Sequence, residues 1–219
     1  VFSLQSILTT HQSVLLLDAA SSAVHAGWIT RDHKSRWVKI AAEASSGVFR
    51  AIRELRVSPN DASAFVFCEG PGSILGIRTV ATALRTWTAL TPRPVYAYRS
   101  LELTAKSVGQ PGQTIICDAR RQSWHAVQLS PDHEFGPLTR IPTADLPSSA
   151  LVTPVEFRQW SISPSPKPAS VPYDPARLAS DLIETPLLRE SPEPDAFLHE
   201  DPAYARWTPA AHRAPPRSS

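Results

Sequence analysis

Along this chain the apolar positions change rhythm twice, and each change predicts a different kind of element. Ser13–Ala20 is a nearly continuous apolar run that carries Asp18 near its end, and Ala23–Thr30 is a second run, with Ser21-Ser22 between them as a turn. The pair reads as a β-hairpin, and Arg36–Ile40 adds a third strand. The spacing then becomes helical: Ala41, Ala44, Val48, Ala51, Ile52 and Leu55 fall on one stripe, with Phe49 at its edge. Turn chemistry at Ser58-Pro59-Asn60-Asp61 ends this helix near Val57. Ala64–Cys68 is a short strand running into Glu69-Gly70-Pro71-Gly72-Ser73, after which Ile74 to Leu90 is strongly helical. Val95–Tyr98 is a further strand, Leu101–Val108 a helix, and Thr114–Asp118 and Trp124–Leu129 two strands joined around Arg120-Arg121-Gln122. The order β-β-β-α-β-α-β-α-β-β predicts an α/β fold with helices packed on a mixed sheet.

Proline marks the second change. Five of the 22 prolines lie before residue 131 and seventeen from it onward, whereas seven of the eight glycines fall at or before Gly112. Short apolar pieces such as Ser149–Val155 and Ala176–Ile183 are all that interrupt the later region. The expectation is a well-formed N-terminal lobe over residues 1–110 and a smaller, Pro-rich lobe over 111–219, with the stretch Ser161–Pro175 replacing regular structure.

At 219 residues and 42% hydrophobic, the chain can bury a substantial core. Its 22 Lys plus Arg against 20 Asp plus Glu leave a formal charge of +2, which supplies no overall electrostatic drive toward nucleic acid or an acidic membrane. No apolar run approaches the roughly 20 residues that span a bilayer. Cys68 and Cys117 are the only cysteines, so a disulfide framework is not expected, and the cytoplasm is the expected location.

Four features are candidates for chemistry or binding. Gly70, Gly72 and Ser73 form a glycine turn between a strand and a helix, where backbone N–H groups and the helix N-terminus favour an anion. The same residues also suit a tight β-to-α connection in which Ser73 caps the helix. Asp18 and Asp118, each at the end of a strand, suggest paired carboxylates or Mg²⁺ ligands, or else caps for nearby N–H groups. Arg120 and Arg121 occupy a hairpin loop, as a solvated turn or as an anion contact. The seven histidines are scattered without metal-binding spacing, and no metal or cofactor is called for. The fourth feature is apolar. On a helical wheel Ile74, Ile77, Val80, Ala81, Ala83, Leu84, Trp87 and Leu90 cover about 200°, wider than the ~100° stripe that seats a helix on one sheet. Together with Val48, Phe49 and Ile52 on the preceding helix, this suggests a face for another protein, with Ile77, Val80, Ala81, Leu84 and Trp87 as its anchors. Cover by the C-terminal lobe, or self-association into a homodimer, would answer the same surplus.

Gly70-Pro71-Gly72-Ser73-Ile74-Leu75-Gly76-Ile77-Arg78 resembles the G-P-G-S-F-T-G-[VLI]-R signature of TsaB-type (YeaZ-like, glycoprotease-like) proteins. Ser13–Ala20 resembles that family's first strand, Pro94–Ala105 its strand and S-L-E helix, Asp118-Ala119-Arg120-Arg121 its D-A-R loop, and Pro202–Arg206 its closing P-x-Y-x-R. The resemblance implies a fold of the actin, sugar-kinase and Hsp70 type with a degenerate nucleotide site at Asp18, Gly70, Gly72 and Ser73. It implies a non-catalytic scaffold that docks its N-terminal helices on a TsaD-type catalytic subunit for threonylcarbamoyladenosine modification of tRNA. A TsaE-type ATPase would join the wider complex, and tRNA would be met only through the partner. The chain departs from the pattern where Ile74 and Leu75 replace an aromatic and Thr, and where Ala19-Ala20 replace the start of a phosphate loop. A small Mg-ATP-dependent phosphotransferase or ATPase of the same fold is the alternative reading.

Overall fold

The computed structural model describes residues 1–197 apart from His133 and Ser149. The closing Pro202–Arg206 motif, together with His199 and His212, lies outside the described residues. Two mixed sheets organise the chain. The first is built around β1 (Ser13–Asp18), which pairs antiparallel with β2 (Val24–Thr30) and parallel with β4 (Ala64–Gly70). β3 (Ser35–Ile40) extends the sheet beyond β2, β5 (Val95–Arg99) runs parallel beside β4, and a two-residue strand near the C-terminus closes the far edge. Every residue of β1 is buried, as the unbroken Val-Leu-Leu-Leu run requires of a central strand covered on both faces. β3, at the edge, alternates less cleanly: Ser35, Arg36 and Lys39 are exposed, while Trp37 and Val38 are half-buried and Ile40 is buried.

Helix α1 (Leu4–Thr10), which the apolar spacing does not announce, precedes β1 and buries Leu4, Ile7 and Leu8. A capping box between Ser3 and Ser6 starts it. α2 (Ala44–Leu55) lies on β2 and β3, and α3 (Ile74–Leu90) packs on β4 and β1 and against α2. α4 (Ser100–Val108) joins the two halves: Leu103 enters the first core, while Leu101 and Ala105 pack with Ile115, Cys117 and Val127 of the second sheet. That sheet has the order β10-β9-β6-β7-β8, with β6 (Thr114–Asp118), β7 (Ser123–Gln128), β8 (Thr139–Pro142), β9 (Leu151–Pro154) and β10 (Ala169–Val171).

The division expected at residue 110 is not a clean partition. Tyr173, Leu178, Leu182, Leu187, Leu188 and Ala196 all belong to the core of the first sheet. β11 (Arg189–Glu190) pairs with β5, and Leu188 exchanges backbone hydrogen bonds with Phe2. The second lobe is therefore the sheet of residues 114–171, and the chain returns to the first lobe after it.

Candidate functional site

The glycine turn is packed shut by its own chain. Gly70 has φ +113°, open to glycine and strained for other residues. A Cβ on Gly72 would stand 2.4 Å from the Ala20 carbonyl oxygen, and one on Gly76 would stand 2.1 Å from that of Ala19. The Ser73 N–H donates to the Ala20 carbonyl at 2.8 Å, and Ser73 Oγ accepts from the Gly76 N–H at 3.3 Å. Ser73 is thus the N-cap of α3, and two of the N–H groups a phosphate would use are bonded within the chain. The missing side chains of Gly72 and Gly76 are what let the start of α3 approach the Ala19 and Ala20 carbonyls so closely.

Asp18 is equally enclosed. It is fully buried; its Oδ1 accepts the Ala20 N–H at 2.8 Å, and its Oδ2 accepts the hydroxyls of Tyr98, on β5, and Tyr173, the latter at 2.5 Å. Burial, and then the Asp18 charge, push both phenols well above the ordinary tyrosine range, so both stay protonated as donors. His25 stands edge-on to Tyr173 with ring centroids 6.2 Å apart, and burial lowers its pKa. Burial likewise raises the thiols of Cys68 and Cys117, so neither is poised as a thiolate nucleophile.

Asp18 and Asp118 end strands of different sheets, and each accepts hydrogen bonds from its own set of donors. Asp118 accepts the backbone N–H groups of Arg120, Trp160 and Ser161 and the Ser161 hydroxyl. Among the described residues no cluster of three or more His, Cys, Asp or Glu side chains is placed to hold a metal.

Between the sheets lies a cleft of about 650 Å³. One wall is the outer edge of the glycine turn with the first turns of α2 and α3, including Ser45 and Leu75; the other is the Asp118–Arg121 loop with Arg140, Phe157, Arg158 and Trp160. Arg120, Arg121 and Gln122 are consecutive residues in the left-handed region, with φ of 62°, 51° and 54°. Such a run costs roughly 1–2 kcal/mol per residue and turns this loop sharply at the cleft rim. Arg120 lies over the Trp160 ring, 5.3 Å from its centroid. Phe157, Arg158 and Trp160 were not singled out by the sequence; the signal was an Arg and a Trp two residues apart in an otherwise Pro- and Ser-rich stretch.

The helical anchors need correction. Val48, Ile52, Ile77, Val80, Ala81 and Leu84 are buried within the chain, because the wide arc on α3 is shared between the sheet and α2. Trp87 is half-buried, with its ring tilted against Phe65. Of the eight residues named, Phe49 is the one exposed, at 56%. The exposed apolar side chains of the helix pair are Phe49 together with Leu75 at 79%, Leu90 at 78% and Ile74 at 45%, beside the threonines along α3. Thr79 and Thr86 donate their hydroxyls to the Leu75 and Thr82 carbonyls of their own helix, so these hydroxyls are already satisfied.

Residues 39–140, from the end of β3 into β8, match the profile of the TsaD family, tRNA N6-adenosine threonylcarbamoyltransferase. No curated protein matches the sequence. Among solved structures, YeaZ from Pseudomonas aeruginosa superposes with a TM-score of 0.52 at 19% identity, over 65% of this chain and 75% of that one. A protein described as similar to peptidase YEAZ from Pseudomonas aeruginosa superposes with a TM-score of 0.54 at 18% identity, over 77% of this chain and 89% of that one. The fold is that of the actin, sugar-kinase and Hsp70 group, as expected.

Proposed function

We propose that this TsaB-type chain is a non-catalytic scaffold that binds a TsaD-type catalytic subunit in threonylcarbamoyladenosine modification of tRNA. The observation that carries the reading is the free face of α2 and α3. It sets Phe49, Ile74 and Leu75 beside threonines whose hydroxyls are turned back on the helix, so little polar desolvation opposes its burial. Among the exposed positions of α3, Arg78 lies 3.6 Å from Asp195 of the same chain, while Arg85 stands at the side of the face and favours an acidic group at the partner's rim. The partner carries the chemistry, a TsaE-type ATPase joins the wider complex, and the setting is the cytoplasm. Among the described residues no helix is long and apolar enough to cross a membrane.

The Mg-ATP reading loses its support at two points. Asp18 has no free oxygen facing the cleft, and the Ser73 and Gly76 N–H groups are already bonded.

Mixing the chain with the TsaD-type protein of the same organism should give a joint peak in size-exclusion chromatography at micromolar concentrations. Leu75→Glu should weaken the complex at least tenfold, or about 1.4 kcal/mol and more if Leu75 is a central anchor, without lowering the melting temperature. Separate elution of the two wild-type proteins would sink the proposal. A complex between copies of this chain, lost with the same substitution, would assign the face to a homodimer instead.

A further inference from the structure

The rim of the cleft on the side of the second sheet has a character that scaffolding leaves unexplained. Trp160 is 63% exposed and Ile162 74% exposed. Their backbone is nevertheless firmly held, with the Trp160 and Ser161 N–H groups on Asp118 and the Ile162 N–H on Gln122 Oε1 at 3.2 Å. A fixed backbone presenting an indole that is mostly in solvent, with only the Arg120 guanidinium over its ring, is a preorganised surface, and leaving a Trp in water is otherwise a cost.

Charge accompanies it. Arg120, Arg121, Arg140 and Arg158 line the same cleft against Glu43 and Asp118, and the Asp118 oxygens are taken by backbone N–H groups. Among the described residues none of these four arginines is in an ion pair. The Arg140 Nε is buried and without a partner. The left-handed backbone at Arg120 and Arg121 holds two of the guanidinium groups at the rim against the conformational preference of the chain.

We infer that this rim is a contact for an unpaired segment of RNA, one base stacking on Trp160 and adjacent phosphates held by Arg120, Arg121 and Arg158. An aromatic face beside unpaired arginines matches a base-and-phosphate repeat, whereas an acidic peptide would use the arginines and leave the indole in water. Chain geometry favours RNA over a lone nucleotide, because the N–H groups of the glycine turn are bonded elsewhere while the arginines are spread along the rim. Leu75 and Ser45 line the opposite wall, so the contact adjoins the helical face assigned to the TsaD-type subunit. RNA held by that subunit would meet this chain directly and not only through its partner. The inference rests on the scaffold reading for its biological setting but on Trp160 and the arginines for its physics.

The test is fluorescence anisotropy of a labelled single-stranded oligoadenylate titrated with the full chain at about 50 mM salt, where phosphate contacts are strong. Binding should weaken at least fivefold in Trp160→Ala and recover largely in Trp160→Phe, as expected for stacking. Arg158→Ala should lower the slope of log Kd against log salt by about 0.7, the loss of one phosphate contact. Arg53→Ala, on the exposed side of α2, should change neither. No binding at low salt, or binding unchanged by Trp160→Ala, would overturn the proposal. So would ADP or polyglutamate competing as well as unlabelled oligoadenylate, which would assign the rim to a mononucleotide or to an acidic protein. Binding of Trp160→Ala to the TsaD-type subunit without RNA, measured separately, should equal that of the wild type; failure of the RNA contact would therefore leave the scaffold reading standing, and the reverse.

Discussion

Asp18 shows how a single residue type can occupy a reactive position and be committed to structure. Two phenols and one backbone N–H take its oxygens in a fully buried setting, and one of those phenols, Tyr173, is 155 residues away in sequence. Tyr173→Phe should cost about 1.5–3 kcal/mol in urea denaturation, the range for a hydrogen bond to a charged group. The Tyr98→Phe, Tyr173→Phe double variant should cost more than the sum of the two, because the carboxylate is then left buried with one N–H donor. His25 adds a pH dependence. Burial lowers its pKa in the folded state, against the opposing charges of Asp18, Glu156 and Asp174 and with that of Lys39. The unfolded chain therefore takes up the proton first, so stability present above about pH 6.5 should fall as the pH drops through that value toward the folded pKa. Chemical denaturation at a series of pH values should show this slope, and it should flatten in His25→Phe. His11 shifts the same way, being pushed down by burial and Arg31, so part of the slope should survive.

At the scale of elements, α3 decides most of what the first lobe can do. Its N-terminal turn rests on the carbonyls of Ala19 and Ala20, and Gly76 is the contact point. Alanine is the better helix former by about 1 kcal/mol, yet the overlap at 2.1 Å should win, and Gly76→Ala should destabilise by about 2 kcal/mol or more in thermal melts. The strands and helices of residues 13–128 were readable because continuous apolar runs, turn residues and helical spacing agree there. The wheel of α3 gave the extent of its apolar surface but not its neighbours. Ile77, Val80 and Leu84 face the first core and α2 while Leu75 faces out, and a wheel drawn for one helix contains no term for the second helix lying across it. A charge at Leu84 would therefore unfold the lobe, whereas a charge at Leu75 tests the partner. α1 carries no readable period in the sequence, because it is seven residues long and three of them are Ser or Thr. Tyr98 and Tyr173 are illegible for another reason: each is an ordinary aromatic in its own segment, and only the fold brings them to Asp18.

For the whole molecule, the second lobe is an insertion between parts of the first. Residues 173–196 carry the chain back to supply Tyr173, four core leucines and strand β11. Arg189, on that strand, meets the buried Glu102 at 2.6 Å and so ties the return to α4, the helix that also seats the second sheet. A chain ending at Ser180 should lose β11 and leave β5 as an open edge, and its soluble yield and thermal transition should fall well below those of the intact chain. The Pro-rich character of residues 131–175 does shorten the strands there, yet β8, β9 and β10 still form beside β6 and β7. Proline count suggested a loss of regular structure; backbone pairing of three- and four-residue strands is too brief to leave a pattern.

The bridge between Phe2 and Leu188 also sets an order of events during synthesis. On a ribosome adding roughly 5–20 residues each second, the segment that seals the first sheet emerges on the order of ten seconds or more after the segment it seals. For that interval the nascent polypeptide exposes a greasy, half-finished layer whose central carboxylate still lacks the Tyr173 hydroxyl. Until the last strand arrives, β5 is an open edge over that layer, the kind of surface on which neighbouring chains pair.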